Sequence, residues 1–223
     1  MRLSNFAMCL LVPLMASGCG GSSGRRPGPL TTTIDEAKLA TVTMDAKTDM
    51  LNKQNEYHIA KAAFQKASED EKSYKHKEEL AKNEKKKADI ETESAKTKVT
   101  AAKASGDKES MNSAMSSMHS AQLQHDIADA HLDVARTQTK YLESAKNLSE
   151  EKMFWAQSKF ELAKARLAVS NKVEPAEFSI GAFELQAKDR ESRVASASKR
   201  TSALKKEADI AKQKWQALKS KVN

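Results

Sequence analysis

Past Leu30 the 223-residue sequence contains two glycines, Gly106 and Gly181, and one proline, Pro175. β-Sandwiches, dinucleotide-binding sheets and (β/α)8 barrels turn repeatedly, and their turns draw on Gly, Pro, Asn and Asp for special dihedrals. Those folds are therefore excluded. Cysteine is almost missing too, with only Cys9 and Cys19, so no disulfide framework is possible. Aromatics make up 5% of the chain and provide no stacking platform, and no nucleic-acid reading motif accompanies the excess of basic residues. Catalytic motifs are equally scarce. There is no phosphate loop, no nucleophile elbow, no Glu-x-x-His and no His-Glu-x-x-His, so the sequence offers no catalytic residues and implies no cofactor.

What remains is Ala, Lys, Glu, Leu, Ser and Gln with regular apolar spacing, 38 basic against 30 acidic residues and a formal charge of +8. This is a helix and coiled-coil composition. The expected class is all-α: an elongated antiparallel helical coiled coil, a long two-helix hairpin with a third, shorter helix packed along it.

The N-terminus stands apart. Residues 1 to 18 have one positive charge at Arg2, an apolar stretch from Phe6 to Met15 and then small residues, the pattern of a signal peptide too short to span a bilayer. Ala16-Ser17-Gly18-Cys19 resembles the lipobox of bacterial lipoproteins, although Leu is commonest where Ala16 stands. The resemblance implies cleavage before Cys19 and acylation of that cysteine, with a palmitate-class lipid anchoring the chain to a membrane. Several acyl chains, at about 0.8 kcal/mol per buried CH₂, hold a protein firmly. Gly20 follows, and by resemblance to enterobacterial sorting rules the absence of Asp there implies the outer membrane, with the protein facing the periplasm. Residues 19 to 32 have the composition of a flexible tether stiffened by proline.

Three helices are expected within 33–223, at about 33–104, 107–171 and 175–222. Thr33-Ile34-Asp35-Glu36 has the form of a capping box, Ser105-Gly106-Asp107 combines a left-handed stop with an N-cap, and Pro175 suits a first helical turn. The second helix has the clearest heptad. Its seam runs through Met111, Ala114, Met118 and Ala121 to Phe160, Ala163, Leu167 and Ser170, with His125, Thr139 and Lys146 as polar interruptions. The first helix answers with Ala60, Ala67, Tyr74, Ala81, Ala88, Ala95 and Ala102. A short turn makes the two antiparallel, placing residue n of the first beside roughly residue 215 − n of the second. A second stripe, Ile127, Val134, Tyr141, Leu148, Trp155, Leu162 and Val169, requires a partner. The third helix supplies one with Phe183, Ala187, Val194, Ala197, Leu204, Ala208, Ala211, Trp215, Leu218 and Val222. Folded back, it reaches the level of Gln124 to Ile127 and leaves a two-helix tip. Both tryptophans, Trp155 and Trp215, are expected to be largely buried.

Two clusters could hold a ligand. Lys205, Lys206, Lys212 and Lys214, with Lys85, Lys86 and Lys87 at the same level by the predicted register, form a basic zone suited to an anionic envelope polymer. Met111, Met115, Met118 and His119 lie on one face beside the turn, and thioether with imidazole is a donor set that soft Cu(I) or Ag(I) accepts, although Met is also an ordinary core filler.

As a whole the chain resembles the class of bacterial coiled-coil lipoproteins and is similar in plan to the Braun-type lipoprotein, a helical rod on an acylated cysteine. That family ends in a lysine joined to peptidoglycan, whereas this sequence ends Lys219-Ser220-Lys221-Val222-Asn223. The class implies a structural or adaptor role in the cell envelope, with a membrane contact through Cys19, an envelope protein or peptidoglycan as partner, and no nucleic acid. Holdase chaperones with basic helical tentacles and the hairpins of efflux adaptors are the alternatives. The first carry a β body, and the second are flanked by lipoyl and β-barrel domains.

Overall fold

The structure is a computed structural model that describes residues 30–173 and 179–221. Three long helices account for most of them: α1 (Thr48–Ser105), α2 (Lys108–Ser170) and α3 (Ile180–Lys219), with no strand among the described residues. At about 1.5 Å per residue the α1–α2 hairpin is roughly 90 Å long. None of these helices is long and apolar enough to cross a membrane.

The hairpin turn has the chemistry expected of it. Gly106 takes φ +70°, where a side chain would be strained, and the Asp107 carboxylate accepts from the backbone N–H of Glu109 and of Ser110, both at 3.2 Å. Four orphan amides begin α2, and Asp107 satisfies two of them.

Along the hairpin the seam is made of small residues. Ala81, Ala88, Ala95 and Ala102 of α1 and Ala114, Ala135, Ala156 and Ala163 of α2 are all buried, which lets the backbones approach closely. Every predicted α2 seam position is buried or half-buried except Ser170. Cross-helix pairs follow the predicted register: Glu56 with Lys159 at 2.9 Å, Glu84 with His131 at 2.7 Å and Asp89 with His125 at 2.9 Å. The polar interruptions thus have partners. His125 meets Asp89, Lys146 meets Glu71 at 3.1 Å, and the Thr139 hydroxyl donates to the Ala135 carbonyl within its own helix.

α3 packs on α2, and its ion pairs and hydroxyl contact with the hairpin, Arg166–Glu184, Glu151–Arg190 and Ser144–Thr201, run to that helix, so α2 is the central helix. The predicted stripe on α2 is half-buried from Ile127 to Leu162, and only Val169 is exposed. Its partner face on α3 includes two residues that the apolar pattern passes over. Arg190 and Thr201 are buried at positions that complete a 4-3 spacing from Phe183 to Leu218. The Thr201 and Ser144 hydroxyls lie 2.9 Å apart, and Arg190 lies 3.7 Å from Glu151 and over the Phe154 ring. Because α3 covers one flank of α2 only, Trp155 and Trp215, though mostly covered, each keep a partly exposed edge. Lys159 and Lys219 lie over their rings at 4.4 and 5.3 Å.

Both outer helix starts differ from expectation. α1 begins at Thr48 instead of 33, and the preceding chain forms an extended strap with two single 3₁₀ turns, Glu36–Leu39 and Asp45–Lys47. Asp35 caps the first turn, so the Thr33 to Glu36 pattern does start a helical turn but not α1. The reason is tertiary. Ile34, Leu39 and Val42 are all buried in one cluster with Phe160, Ala163, Leu167 and Phe183, where α2 and α3 meet. The strap also takes Thr31 and Thr32 out of the expected tether: Gln186 Oε1 accepts from the backbone N–H of both at 3.1 Å, and Gln186 Nε2 donates to the Thr32 carbonyl at 3.0 Å. α3 begins at Ile180, while Pro175 lies outside the described residues, as does Val222.

Candidate functional site

The predicted lipidation site Cys19, the signal peptide and the tether to residue 29 lie outside the described residues. Thr31 and Ile34, however, are fixed at the end of the rod where α2 stops and α3 starts. Here a charged pair that sequence reasoning missed holds the strap. Glu161 and Lys164, each 4% exposed, pair at 2.7 Å. The Ile34 N–H donates to Glu161 at 2.8 Å, and Lys164 donates to the Ile34 carbonyl at 2.7 Å. Two charges removed from water are stable only with such complete satisfaction. A sequence signal did exist. From Phe160 to Leu167 apolar residues occur on most sides of α2, so a charge inside that stretch can fall against the core, as Glu161 and Lys164 do while Arg166 stays exposed.

The basic residues differ in their engagement. Lys205, Lys206, Lys212 and Lys214 are exposed along α3 and join no ion pair among the described residues. Lys85 is engaged instead, 2.9 Å from Asp89 and 3.9 Å from Asp129 across the hairpin, and Lys86 is exposed. Lys87 lines a cleft with the end of α3. That cleft, about 400 Å³, opens where α3 ends, between α1, α2 and the last turn of α3. Ala88, Ile127 and Ala128 form its apolar part, and Lys87, Gln124, Trp215 and Lys219 surround it. The meeting of the end of α3 with Gln124 and Ile127 is the level expected from its length.

Within the cleft, His131 stacks on Trp215 with centroids 4.8 Å apart and planes 17° apart, and its Nδ1 is 2.7 Å from Glu84. The Trp215 indole N–H is buried without an acceptor. Unpaired buried donors are uncommon in folded proteins.

Of the four candidate soft-metal ligands, Met111 and Met118 are half-buried at the seam, whereas Met115 is 55% exposed and His119 is exposed. The structure thus divides the cluster between core and solvent. No group of three or more His, Cys, Asp or Glu side chains among the described residues could hold a metal ion.

Several carboxyls are shifted by their neighbours. Glu71, almost fully buried, is held below the usual carboxylate range by hydrogen bonds from Lys75 and, against the opposing effect of burial, from Lys146. Glu56 is lowered by Lys53 and then by Lys159, and Asp89 chiefly by Lys85. Glu151 is the exception: burial raises its pKa more than the nearby Arg190 lowers it. Each of the lowered groups is an ordinary ion-pair member.

Compared with known proteins, the chain matches no family model, no curated protein and no solved structure.

Proposed function

We propose that this protein is a membrane-anchored structural or adaptor lipoprotein of a bacterial cell envelope, tethered through acylated Cys19 at the outer membrane and facing the periplasm, which presents the tip of its helical hairpin to a protein or peptidoglycan partner. The observation that carries this reading is the place where the strap joins the rod. The lipobox-like sequence precedes a strap that is pinned to α2 and α3 at one end, whereas Gly106 lies at the other. A lipid on Cys19 therefore pulls on the base, and the turn becomes the most distant point of the chain. With roughly 90 Å between them, the tip reaches partners well away from the anchoring bilayer.

Two experiments address the two halves of the proposal. Cys19→Ser is expected to abolish metabolic labelling with palmitate and to release the protein from membranes; unchanged labelling and membrane retention would contradict the anchor. A photo-crosslinking residue placed next to Gly106 is expected to capture a discrete envelope partner in intact cells. Protection of an unfolded outer-membrane protein from aggregation, without such a partner, would favour a holdase instead.

A further inference from the structure

We infer that the cleft at the end of α3 is a binding site for a carboxylate-bearing saccharide, with Lys87 and Lys219 as its charged donors and the Trp215 ring as its apolar wall. This deepens the proposed envelope role and rests on it for the source of the ligand, but not for the chemistry of the site.

The inference comes from an excess of donors. Lys219 has no carboxylate partner among the described residues and lies 5.3 Å from the centroid of Trp215. Lys87 is 80% exposed, and its nearest carboxylate, Glu91 at 3.8 Å, is itself exposed, a pair of the kind worth about 1 kcal/mol or less. Gln124 adds a side-chain amide at the cleft wall. Of the two acidic side chains lining the space, Glu84 is engaged with His131, and Glu91 is the weak partner of Lys87. Two ammonium groups without a strong carboxylate partner therefore edge the cleft. An anionic group with several oxygens would pair with both, since charge-assisted hydrogen bonds are the strong ones.

The shape narrows the ligand further. About 400 Å³ is within the range of small-molecule clefts and too little for a folded partner. Its walls combine an indole ring, held in place by the stacked His131, with Ile127, Ala88 and Ala128, and this apolar surface edged by donors suits a sugar ring carrying acceptor oxygens. Position separates the possible anions. Ser170 marks the base and Gln124 the cleft, which puts the cleft on the order of 70 Å along α2 from the anchored end. Headgroups of the anchoring membrane are then out of reach, and a carboxylated glycan lying above the membrane is not.

The test uses the full chain with Trp155→Phe, which leaves Trp215 as the single tryptophan. Muramyl dipeptide is the probe; N-acetylglucosamine, a polyglutamate peptide and phosphatidylglycerol vesicles are the comparison arms. Trp215 emission should change saturably with muramyl dipeptide and far less with the neutral sugar, the peptide or the vesicles. Adding Lys87→Gln and Lys219→Gln should weaken binding by about tenfold or more, as expected for lost charged hydrogen bonds. The Lys205, Lys206, Lys212 and Lys214 to Gln variant should bind like its parent. The same affinity in the cleft variant, stronger binding of the peptide or vesicles, or no saturable response would overturn the assignment. Because no arm depends on acylation, failure here is distinct from failure of the Cys19→Ser labelling experiment.

Discussion

The two ends of the rod are built from different materials. At the base, Ile34, Leu39, Met50, Phe160, Leu167 and Phe183 form one core in which strap, α1, α2 and α3 all take part. At the tip, α1 and α2 are alone, and the buried side chains are Thr92, Ala95, Ala102 and Ala114. A buried Phe or Leu contributes about 1.5–3 kcal/mol over its exposed state, several times what the single methyl of an alanine can supply. The base is therefore the source of stability, and the tip is a close-packed extension that depends on continuity with it. A shape of this kind suits a protein held at one end and used at the other, because the presenting element can adapt without loosening the anchor.

Removing α3 by truncation after Val173 should have the largest effect, since it uncovers the stripe from Ile127 to Leu162, including Trp155. Self-association is the expected result, read by sedimentation; a truncated protein that stays monomeric with its melting temperature intact would show that the base does not need α3. Next comes the strap. Glu161→Ala leaves Lys164 buried without its carboxylate and the Ile34 N–H without its acceptor, a change expected to cost about 3–5 kcal/mol in denaturant unfolding. A loss under about 1 kcal/mol would mean that the strap is not part of the base core.

Acid should weaken the molecule more gradually. Glu56 and Glu71 have folded pKa values below their unfolded ones, so the stability they contribute is present above about 4.3, the unfolded value, and is lost as pH falls through the lower folded values. Glu151 acts with the opposite sign: its raised pKa favours the folded state at low pH and gives up that contribution as pH rises through the folded value. Thermal unfolding followed from pH 7 down to pH 3 should show a falling midpoint whose acid slope is shallower in Glu71→Gln. Gly106→Ala should have the smallest effect. Its φ of +70° costs a side chain about 1 kcal/mol, and with nothing within 4 Å of a Cβ the loss should be confined to exchange at the tip.

The hairpin was legible because its information is local. Alanine every seven residues from Ala81 to Ala102, Gly106 before Asp107, and a continuous 3-4 pattern in α2 all state the same register, and the Glu56–Lys159 and Glu84–His131 pairs fall on it. What could not be read depends on contacts between distant segments. Ile34, Leu39 and Val42 leave the helical pattern because they are buried against α2 and α3, and a capping-box sequence does not reveal that competition. Arg190 and Thr201 were passed over in the seam because they are polar, although their spacing alone would have included them. In the basic zone, charge count places the lysines along α3 but not their relation to α1: Lys85 is engaged across the hairpin, and Lys87 lines the cleft at the end of α3.

Residue-resolved amide hydrogen exchange on the full chain tests the contrast between base and tip most directly, since α1 and α2 run through both. Backbone amides of α2 from about Leu132 to Ala168, and those of α1 opposite them, should exchange only with global unfolding, whereas amides from about Ala95 to Ala121 should open at lower free energy and exchange orders of magnitude faster. Uniform protection along both helices, or a tip more protected than the base, would contradict an account in which the three-helix base holds the molecule together and the tip extends from it.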